Sequence, residues 1–110
     1  MGKRKNQKLK LVLKKVKELK RMKKFDRVIL FGSYARRDFN EDSDVDLIIL
    51  DKRFKHKNVF DRSKGLWILW HKKLKVGLPV DFLCYTPEEF EKLKTRVSIV
   101  SEAVREGIEV

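Results

Sequence analysis

The sequence has little cysteine, little proline and no long apolar run. Its 110 residues include one cysteine, Cys84, and two prolines. A single cysteine excludes an intramolecular disulfide and a zinc site built from cysteines. No apolar run approaches the roughly 20 residues of a membrane-spanning helix. Lysines interrupt the apolar segment that a signal peptide would need after the basic N-terminus. We therefore expect a soluble, cytoplasmic protein that does not bind membranes.

Acidic residues are scarce at the start of the chain. Residues 1–24 contain twelve Lys or Arg and one acidic residue, Glu18, and carry +11 of the total net charge of +12. Such a basic block attracts nucleic acid, acidic proteins or nucleotide phosphates through electrostatics that do not depend on sequence. The alternative, which we favour, is a solvated helix face in a thermophile-like composition, since 40% of the residues are charged and only one Gln is present.

Hydrophobic periodicity predicts one helix and three strands. Apolar residues at three- and four-residue spacing predict a helix over residues 8–24, after a frayed segment 1–7. Three short apolar runs, 27–31, 44–50 and 80–85, predict strands. The helix's predicted buried stripe consists of Leu9, Val12, Leu13, Val16, Leu19 and Met22.

Two more helices are predicted in the second half of the chain. Residues 58–73 have a helical pattern, which Gly65 weakens by about 1 kcal/mol. Thr86 and Glu89 form a capping-box pattern around Pro87, and the helix that begins there is expected to run to about residue 105. The order of elements predicts a single domain over residues 1–110, of the α/β or α+β class, with a small mixed sheet packed against helices.

Three aspartates in two of the predicted strands suggest a metal site. Asp44 and Asp46 are two residues apart, so their carboxylates point to the same face of a strand. They would repel each other unless a cation lay between them, and Mg²⁺ prefers oxygen ligands. Asp81 joins them if the strand 80–85 lies parallel beside 44–50, and three carboxylates can hold two metal ions.

Gly32 and Ser33 follow the first predicted strand directly. A glycine here lets the backbone approach a phosphate closely, and the Ser33 hydroxyl can donate to phosphate oxygens. For Ser33 to face Asp44, the strands 27–31 and 44–50 should be antiparallel neighbours. A Gly-Ser pair or an Asp-x-Asp pattern alone is usually an ordinary turn, loop or cap, so the prediction depends on their joint occurrence.

The combined pattern resembles the signature of the DNA polymerase beta-type nucleotidyltransferase superfamily. Ten residues separate Gly32-Ser33 from Asp44-Val45-Asp46, and the stretch 31–49, FGSYARRDFNEDSDVDLII, is similar to the minimal nucleotidyltransferases of archaea and bacteria. Asp81 stands where that family has its third carboxylate. The resemblance covers essentially the whole chain and implies a nucleotidyltransferase-like fold.

The resemblance also implies an activity and a role for each residue. Gly32 and Ser33 would bind the triphosphate of ATP or another NTP. Asp44 and Asp46 would bind two Mg²⁺ ions, with Mn²⁺ as an alternative, and Asp81 would bind the catalytic one and help to activate the acceptor hydroxyl. Attack on the α-phosphorus would release pyrophosphate. The implied enzyme is a metal-dependent nucleotidyltransferase (EC 2.7.7-type).

The resemblance further implies a protein partner. Family members of this size are often encoded with a helical HEPN-domain protein, and some are antitoxins that add AMP to that toxin. We therefore expect a protein adenylyltransferase in a toxin–antitoxin system. Two alternatives stay open: a non-catalytic binding module that retains the fold, and an RNA-directed transferase that holds its acceptor on the basic helix. We favour neither.

Several side chains have both a functional and a structural interpretation. Arg37 stands where the family often has Gly, and Arg36 and Arg37 could contact phosphate or pair with Asp38 or Glu41; we favour the pairing. Trp67 and Trp70 could stack on a base, but core or subunit-interface packing, including a homo-oligomer, suits their spacing better. We expect no metal or acid–base role for His56 and His71.

Overall fold

The computed structural model describes residues 2–110. Its sheet has four strands in the order β3-β2-β1-β4, and β2 is antiparallel to β1 but parallel to β3. The mixed sheet and the α+β class confirm the predicted fold. The strands are β1 (Arg27–Phe31), β2 (Val45–Leu50), β3 (Val80–Tyr85) and β4 (Ile108–Glu109). The helices are α1 (Lys3–Lys23), α2 (Gly32–Arg36), α3 (Val59–Arg62), α4 (Leu66–Ile68), α5 (Pro87–Arg96) and α6 (Ser98–Glu106).

Buried side chains alternate between the two faces of the sheet and form one hydrophobic layer on each face. Leu30 and Leu47 belong to the cluster that includes α1 and Trp70, while Phe31 and Ile48 belong to the cluster that includes α5 and α6. Successive side chains of a strand point to opposite faces, so each strand contributes to both layers. The sheet is therefore covered by helices on both faces. Among residues 2–110, no helix is both long and apolar enough to cross a membrane.

Helix α1 begins earlier than predicted. The segment expected to be frayed is helical from Lys3 on, and Met1 lies outside the described residues. Straight-chain lysines favour helix, and the ammonium groups of Lys5 and Lys8 lie 5.6 Å and 5.9 Å from the ring centre of Phe39. The predicted buried stripe is confirmed except at Met22, which is half exposed because it lies beside the stripe.

The predicted helix 58–73 is interrupted. Asn58 caps α3, and the chain turns at Gly65, whose φ of 84° belongs to the left-handed region. Helix α4 continues as a π-helical turn over Leu69–Lys73. Glycine is unfavourable inside a helix because it loses more conformational entropy than other residues do. Gly65 lies instead between two helices, and α4 begins directly after it. The charged connection after β2 contains a 3₁₀ helix, Lys52–His56, capped by Asp51.

The predicted helix 87–105 is two helices. Val97 is extended, with φ −117° and ψ 119°, and separates α5 from α6. The break turns α6 so that Val100 and Ala103 join the layer under β1. Strand β4, which was not predicted, follows Gly107, where a β-carbon would overlap the backbone of α6. Two residues are too few to show strand periodicity.

The capping box at the start of α5 is confirmed. Thr86 Oγ1 accepts from the Glu89 N–H at 3.1 Å, and Glu89 Oε1 accepts from the Thr86 N–H at 2.8 Å. Glu89 also binds Arg62, whose guanidinium is buried, through bonds of 2.6 Å and 3.1 Å. The hydrogen bonds of Arg62 hold the Glu89 pKa below its usual value. The cap thus connects α5 to α3.

The stability contribution of this cap can be measured. We expect Thr86→Ala to lower the free energy of unfolding by about 1–2 kcal/mol, because one backbone N–H at the helix start loses its acceptor. Thr86→Ser should recover most of the loss. Thr95→Ala, at an exposed site of the same helix, should change stability by less than about 0.5 kcal/mol. Urea denaturation measures all three, and equal losses in Thr86→Ala and Thr95→Ala would contradict the cap's importance.

Candidate active site at the edge of the sheet

The Gly32-Ser33 pair lies where β1 passes directly into α2. The apolar strand ends at Phe31, and Gly32 starts the helix with a φ of 72°, a conformation that side chains other than glycine rarely adopt. A β-carbon at position 32 would overlap the carboxylate of Asp46. The glycine therefore allows the backbone to approach that carboxylate closely.

Strand pairing brings the glycine and the aspartates together. Phe31 is opposite Asp46 in the antiparallel β1–β2 pair, and Asp46 is opposite Asp81 in the parallel β2–β3 pair. Both strand directions are those that the sequence predicted. Asp46 is partly buried, whereas Asp44 and Asp81 are exposed. The predicted strand 44–50 starts one residue later, so Asp44 lies just before β2.

Burial and the two other aspartates affect the ionisation of Asp46. Burial raises the pKa of Asp46 to about 6, and the negative charges of Asp81 and then Asp44 add to the rise. Arg36 acts in the opposite direction, lowering the Asp46 pKa through its positive charge. The Asp46 carboxylate therefore lies in the negative field of the other two aspartates, and a bound cation would favour its ionised form.

A cleft of about 420 Å³ opens over this edge. One wall comes from the sheet and α2, and the other comes from α6, which the motif did not indicate. The wall of the sheet and α2 is formed by Phe31, Gly32, Ser33, Arg36, Asp46, Asp81, Phe82 and Leu83; the α6 wall is formed by Ile99, Glu102, Ala103 and Glu106. Asp44 is not part of this lining, and its effect on the cleft is through charge.

The donor atoms of this edge suit a hard divalent cation. They are carboxylate oxygens, the ligand type that Mg²⁺ and Mn²⁺ prefer, and their mutual repulsion would be relieved by positive charge. Among residues 2–110, however, no three His, Cys, Asp or Glu side chains are close enough together to hold a metal ion as they stand. The chemistry of the donors fits the predicted cation, and the three-aspartate site stays a prediction.

The side chains with two interpretations are mostly structural. Arg36 donates to Asp38 at 3.1 Å, which is the acidic pairing that the sequence analysis favoured. It also lines the cleft, where its guanidinium lies 3.7 Å from the Glu106 carboxylate. Trp70 is fully buried and donates from Nε1 to the Leu78 carbonyl at 3.1 Å, whereas Trp67 is 53% exposed. These contacts give Trp70 a core role.

The close approach at Gly32 can be tested with a second glycine as a control. Gly32 and Gly65 both have positive φ, but nothing lies within 4 Å of a β-carbon at position 65. Both alanine substitutions should cost roughly 1–2 kcal/mol of stability from backbone strain. Only Gly32→Ala should also displace the Asp46 carboxylate and abolish ligand binding in the cleft. Thermal melting and calorimetry with Mg·ATP measure the two effects; equal ATP affinity in both variants would contradict this assignment.

Comparison with known proteins shows the family and agrees with the fold. The family model described as "Nucleotidyltransferase domain" matches residues 9–108. A protein of Methanocaldococcus jannaschii named "Putative protein adenylyltransferase" is 37% identical over 87 residues, covering 79% of this chain and 80% of that protein. A crystal structure titled as a "putative nucleotidyltransferase" from Sulfolobus solfataricus has a TM-score of 0.54 and 28% identity, over 80% of this chain and 75% of that one. With its family match extending from α1 to β4, the chain belongs to the nucleotidyltransferase domain family.

Proposed function

We propose that this chain, acting as one domain, transfers AMP from ATP to a hydroxyl group of a protein partner, with two divalent metal ions. The observation that carries the proposal is the approach of Gly32 to the Asp46 carboxylate, with Ser33 beside it and Asp81 opposite. This approach supports the proposal, because a backbone that could bind phosphate lies next to carboxylate oxygens that could bind metal. The name of the Methanocaldococcus jannaschii relative supports protein adenylylation over other nucleotidyl transfers. A HEPN-domain toxin is the partner class implied by the family resemblance.

Each residue has a distinct role in the proposed reaction. The backbone N–H groups and hydroxyl of Gly32-Ser33 donate to the triphosphate and hold the α-phosphorus over the sheet edge. Asp44 and Asp46 would hold both metals, and Asp81, an exposed residue of the cleft lining, would hold the catalytic one and help to remove the proton of the acceptor hydroxyl. The acceptor oxygen forms a bond to the α-phosphorus, the bond from that phosphorus to the bridging oxygen breaks, and pyrophosphate leaves.

The metals supply charge neutralisation. When bound, divalent cations polarise the phosphoryl oxygens and favour the ionised form of the attacking hydroxyl. The cleft needs this help, because the described residues that line it include four carboxylates and one cation, Arg36. A triphosphate would be repelled from such a lining without metal. ATP binding should therefore require Mg²⁺ or Mn²⁺.

The nucleotide site can be tested before any acceptor is known. We expect Mg²⁺-dependent ATP binding in calorimetry, and a loss of at least about tenfold in affinity in Asp44→Asn/Asp46→Asn, because the metal loses two anionic ligands. Asp42→Asn/Asp61→Asn is the matched control, since it removes the same charge from two exposed aspartates outside the cleft. ATP affinity that is equal in the two double variants, or independent of metal, would contradict the proposed site.

The same variants test whether a HEPN-domain protein accepts the adenylyl group. A HEPN-domain protein co-purified with this chain should gain label from α-labelled ATP and none from γ-labelled ATP, because the adenylyl group is transferred and pyrophosphate leaves. The Asp44→Asn/Asp46→Asn variant should transfer none. Nucleotide binding without labelling would reject this acceptor while leaving the nucleotide site intact. If the Asp44→Asn/Asp46→Asn variant still inhibited its partner as the wild type does, the result would support a non-catalytic binding module.

Arg36 and Arg37 allow a second comparison, between an arginine that lines the cleft and an adjacent one that does not. Both are exposed and adjacent, but only Arg36 lines the cleft. Turning from Asp38 and Glu106, the Arg36 guanidinium can reach a phosphate oxygen, a bond worth about 10- to 100-fold in affinity. We therefore expect Arg36→Gln to weaken Mg·ATP binding and Arg37→Gln to leave it unchanged. Calorimetry measures both, and equal effects would show that Arg36 acts through long-range charge alone.

A further inference from the structure

The outer side of α1 carries a row of cations. Lys3, Lys10, Lys14, Lys17 and Arg21, here called the basic stripe, are separated by seven, four, three and four residues, and all are exposed. These intervals correspond to one or two helical turns, so the five side chains project from one side of α1 along about 27 Å. The opposite side of the helix is buried in the core at Leu9, Val12, Val16 and Leu19.

Nothing in residues 2–110 neutralises the basic stripe. The ion pair of α1 joins Lys15 to Glu18 at 3.7 Å, on the flank of the helix, and Lys20 donates to the Val110 carbonyl at 2.9 Å. In this part of the chain, no stripe cation has a carboxylate partner. The positive charge on this side of α1 is therefore available to a ligand.

The arrangement is unfavourable for the helix itself. Like charges three and four residues apart repel each other, as along Lys10, Lys14, Lys17 and Arg21. The first turn contains no acidic residue, so its cations also oppose the positive end of the helix dipole. Among residues 2–110, no ion pair offsets the repulsion along the basic stripe. The Phe39 ring faces Lys5, which is not a stripe residue, and of the five stripe cations Arg21 alone lies in the last turn, where the helix dipole favours it. An external polyanion would offset both.

We propose that the basic stripe binds the phosphate backbone of duplex nucleic acid without sequence specificity. The exposed apolar side chains of α1 are Leu11 and Met22, which are 11 residues apart and form no continuous hydrophobic centre of the kind a protein interface has. None of the exposed side chains of α1 is aromatic, so the stacking groups that single strands require are missing. A straight row of cations matches the regular charge of a duplex, and counterion release provides the free energy of binding. The family's nucleotide transfer is not needed for this interaction.

The stripe and the cleft lie on opposite sides of the sheet. Helix α1 packs on the layer that contains Leu30 and Leu47, whereas the cleft opens on the α6 side of the sheet. A duplex on the stripe would therefore leave the cleft open. Nucleic acid and ATP should bind at the same time without competing.

The experiment measures fluorescence anisotropy of labelled duplexes of about 20 base pairs, at several salt concentrations. We expect dissociation constants of about 10⁻⁶–10⁻⁴ M near physiological salt. In Lys10→Gln/Lys14→Gln/Lys17→Gln, the slope of log K against log salt should become shallower by about 2.7, because three phosphate contacts are lost. Separate RNA and DNA duplexes show which form is preferred, and binding of either supports the proposal.

A matched triple variant separates the stripe from net charge. Lys92→Gln/Arg96→Gln/Arg105→Gln removes three exposed cations from α5 and α6, which pack on the other face of the sheet, and should keep the wild-type slope. Equal slope changes in the two triple variants would overturn the proposal. Tighter binding to polyglutamate or to anionic lipid vesicles than to either duplex, or no duplex binding at all, would also overturn it. All of the substituted side chains are exposed, and thermal melting should verify that the fold is intact.

The test is independent of the proposed nucleotide transfer. The Asp44→Asn/Asp46→Asn variant should bind duplexes as the wild type does, and saturating Mg·ATP should not displace them. Displacement by Mg·ATP would place the nucleic acid in the cleft and contradict binding at the stripe. Failure of ATP binding with intact duplex binding would reject the proposed function alone.

Discussion

The repulsion between carboxylates at one edge of the sheet is the constraint on which the site depends. Parallel pairing of β2 and β3 places Asp46 opposite Asp81, and Asp44 adds a third negative charge just before β2. Burial, together with the charges of Asp81 and Asp44, raises the pKa of Asp46 to about 6, so its ionisation costs free energy that a bound cation would lower. Packing does not require aspartates here, since the adjacent positions of β2 already fill both layers. A bound cation would relieve this cost, and under the proposed function the metal affinity would then depend on the sheet register.

The two faces of the sheet have different roles: one carries the core that includes α1, and the other carries the cleft. On one face, α1 and Trp70 pack on the strands and fix their register; on the other, α6 leaves a cleft over the strand edge. The break at Val97 is what gives α6 its direction. A continuous helix from Pro87 would carry Ile99 and Glu102 along the axis of α5, away from Asp46. Thus one extended residue, outside any motif, determines the second wall of the cleft.

The sequence predicted the elements whose signals are local. Strands β1 and β3 and the capping box at Thr86 were right to the residue, because a short apolar run or a polar cap is encoded within a few positions. The strand directions followed from requiring Ser33 and Asp81 to meet the Asp-x-Asp pair. The break at Val97 could not be predicted, since a valine is compatible with both helix and extended chain and only packing on Ile29 and Phe31 decides. Strand β4 and the α6 wall depend on that same packing.

Charge is also distributed unequally between the two faces of the sheet. A chain with a net charge of +12 could have lined its cleft with lysines, yet the described lining contains four carboxylates and one arginine. A lysine-lined cleft would bind ATP without metal and would also attract nucleic acid to the reacting centre. Under the proposed function, the carboxylate-lined cleft would instead make nucleotide binding conditional on divalent cations, and it would repel a bare polyanion. Because much of the basic excess lies on α1, away from the cleft, the chain can be strongly cationic while its cleft is lined mainly by carboxylates, as selectivity for a metal-bound nucleotide would require.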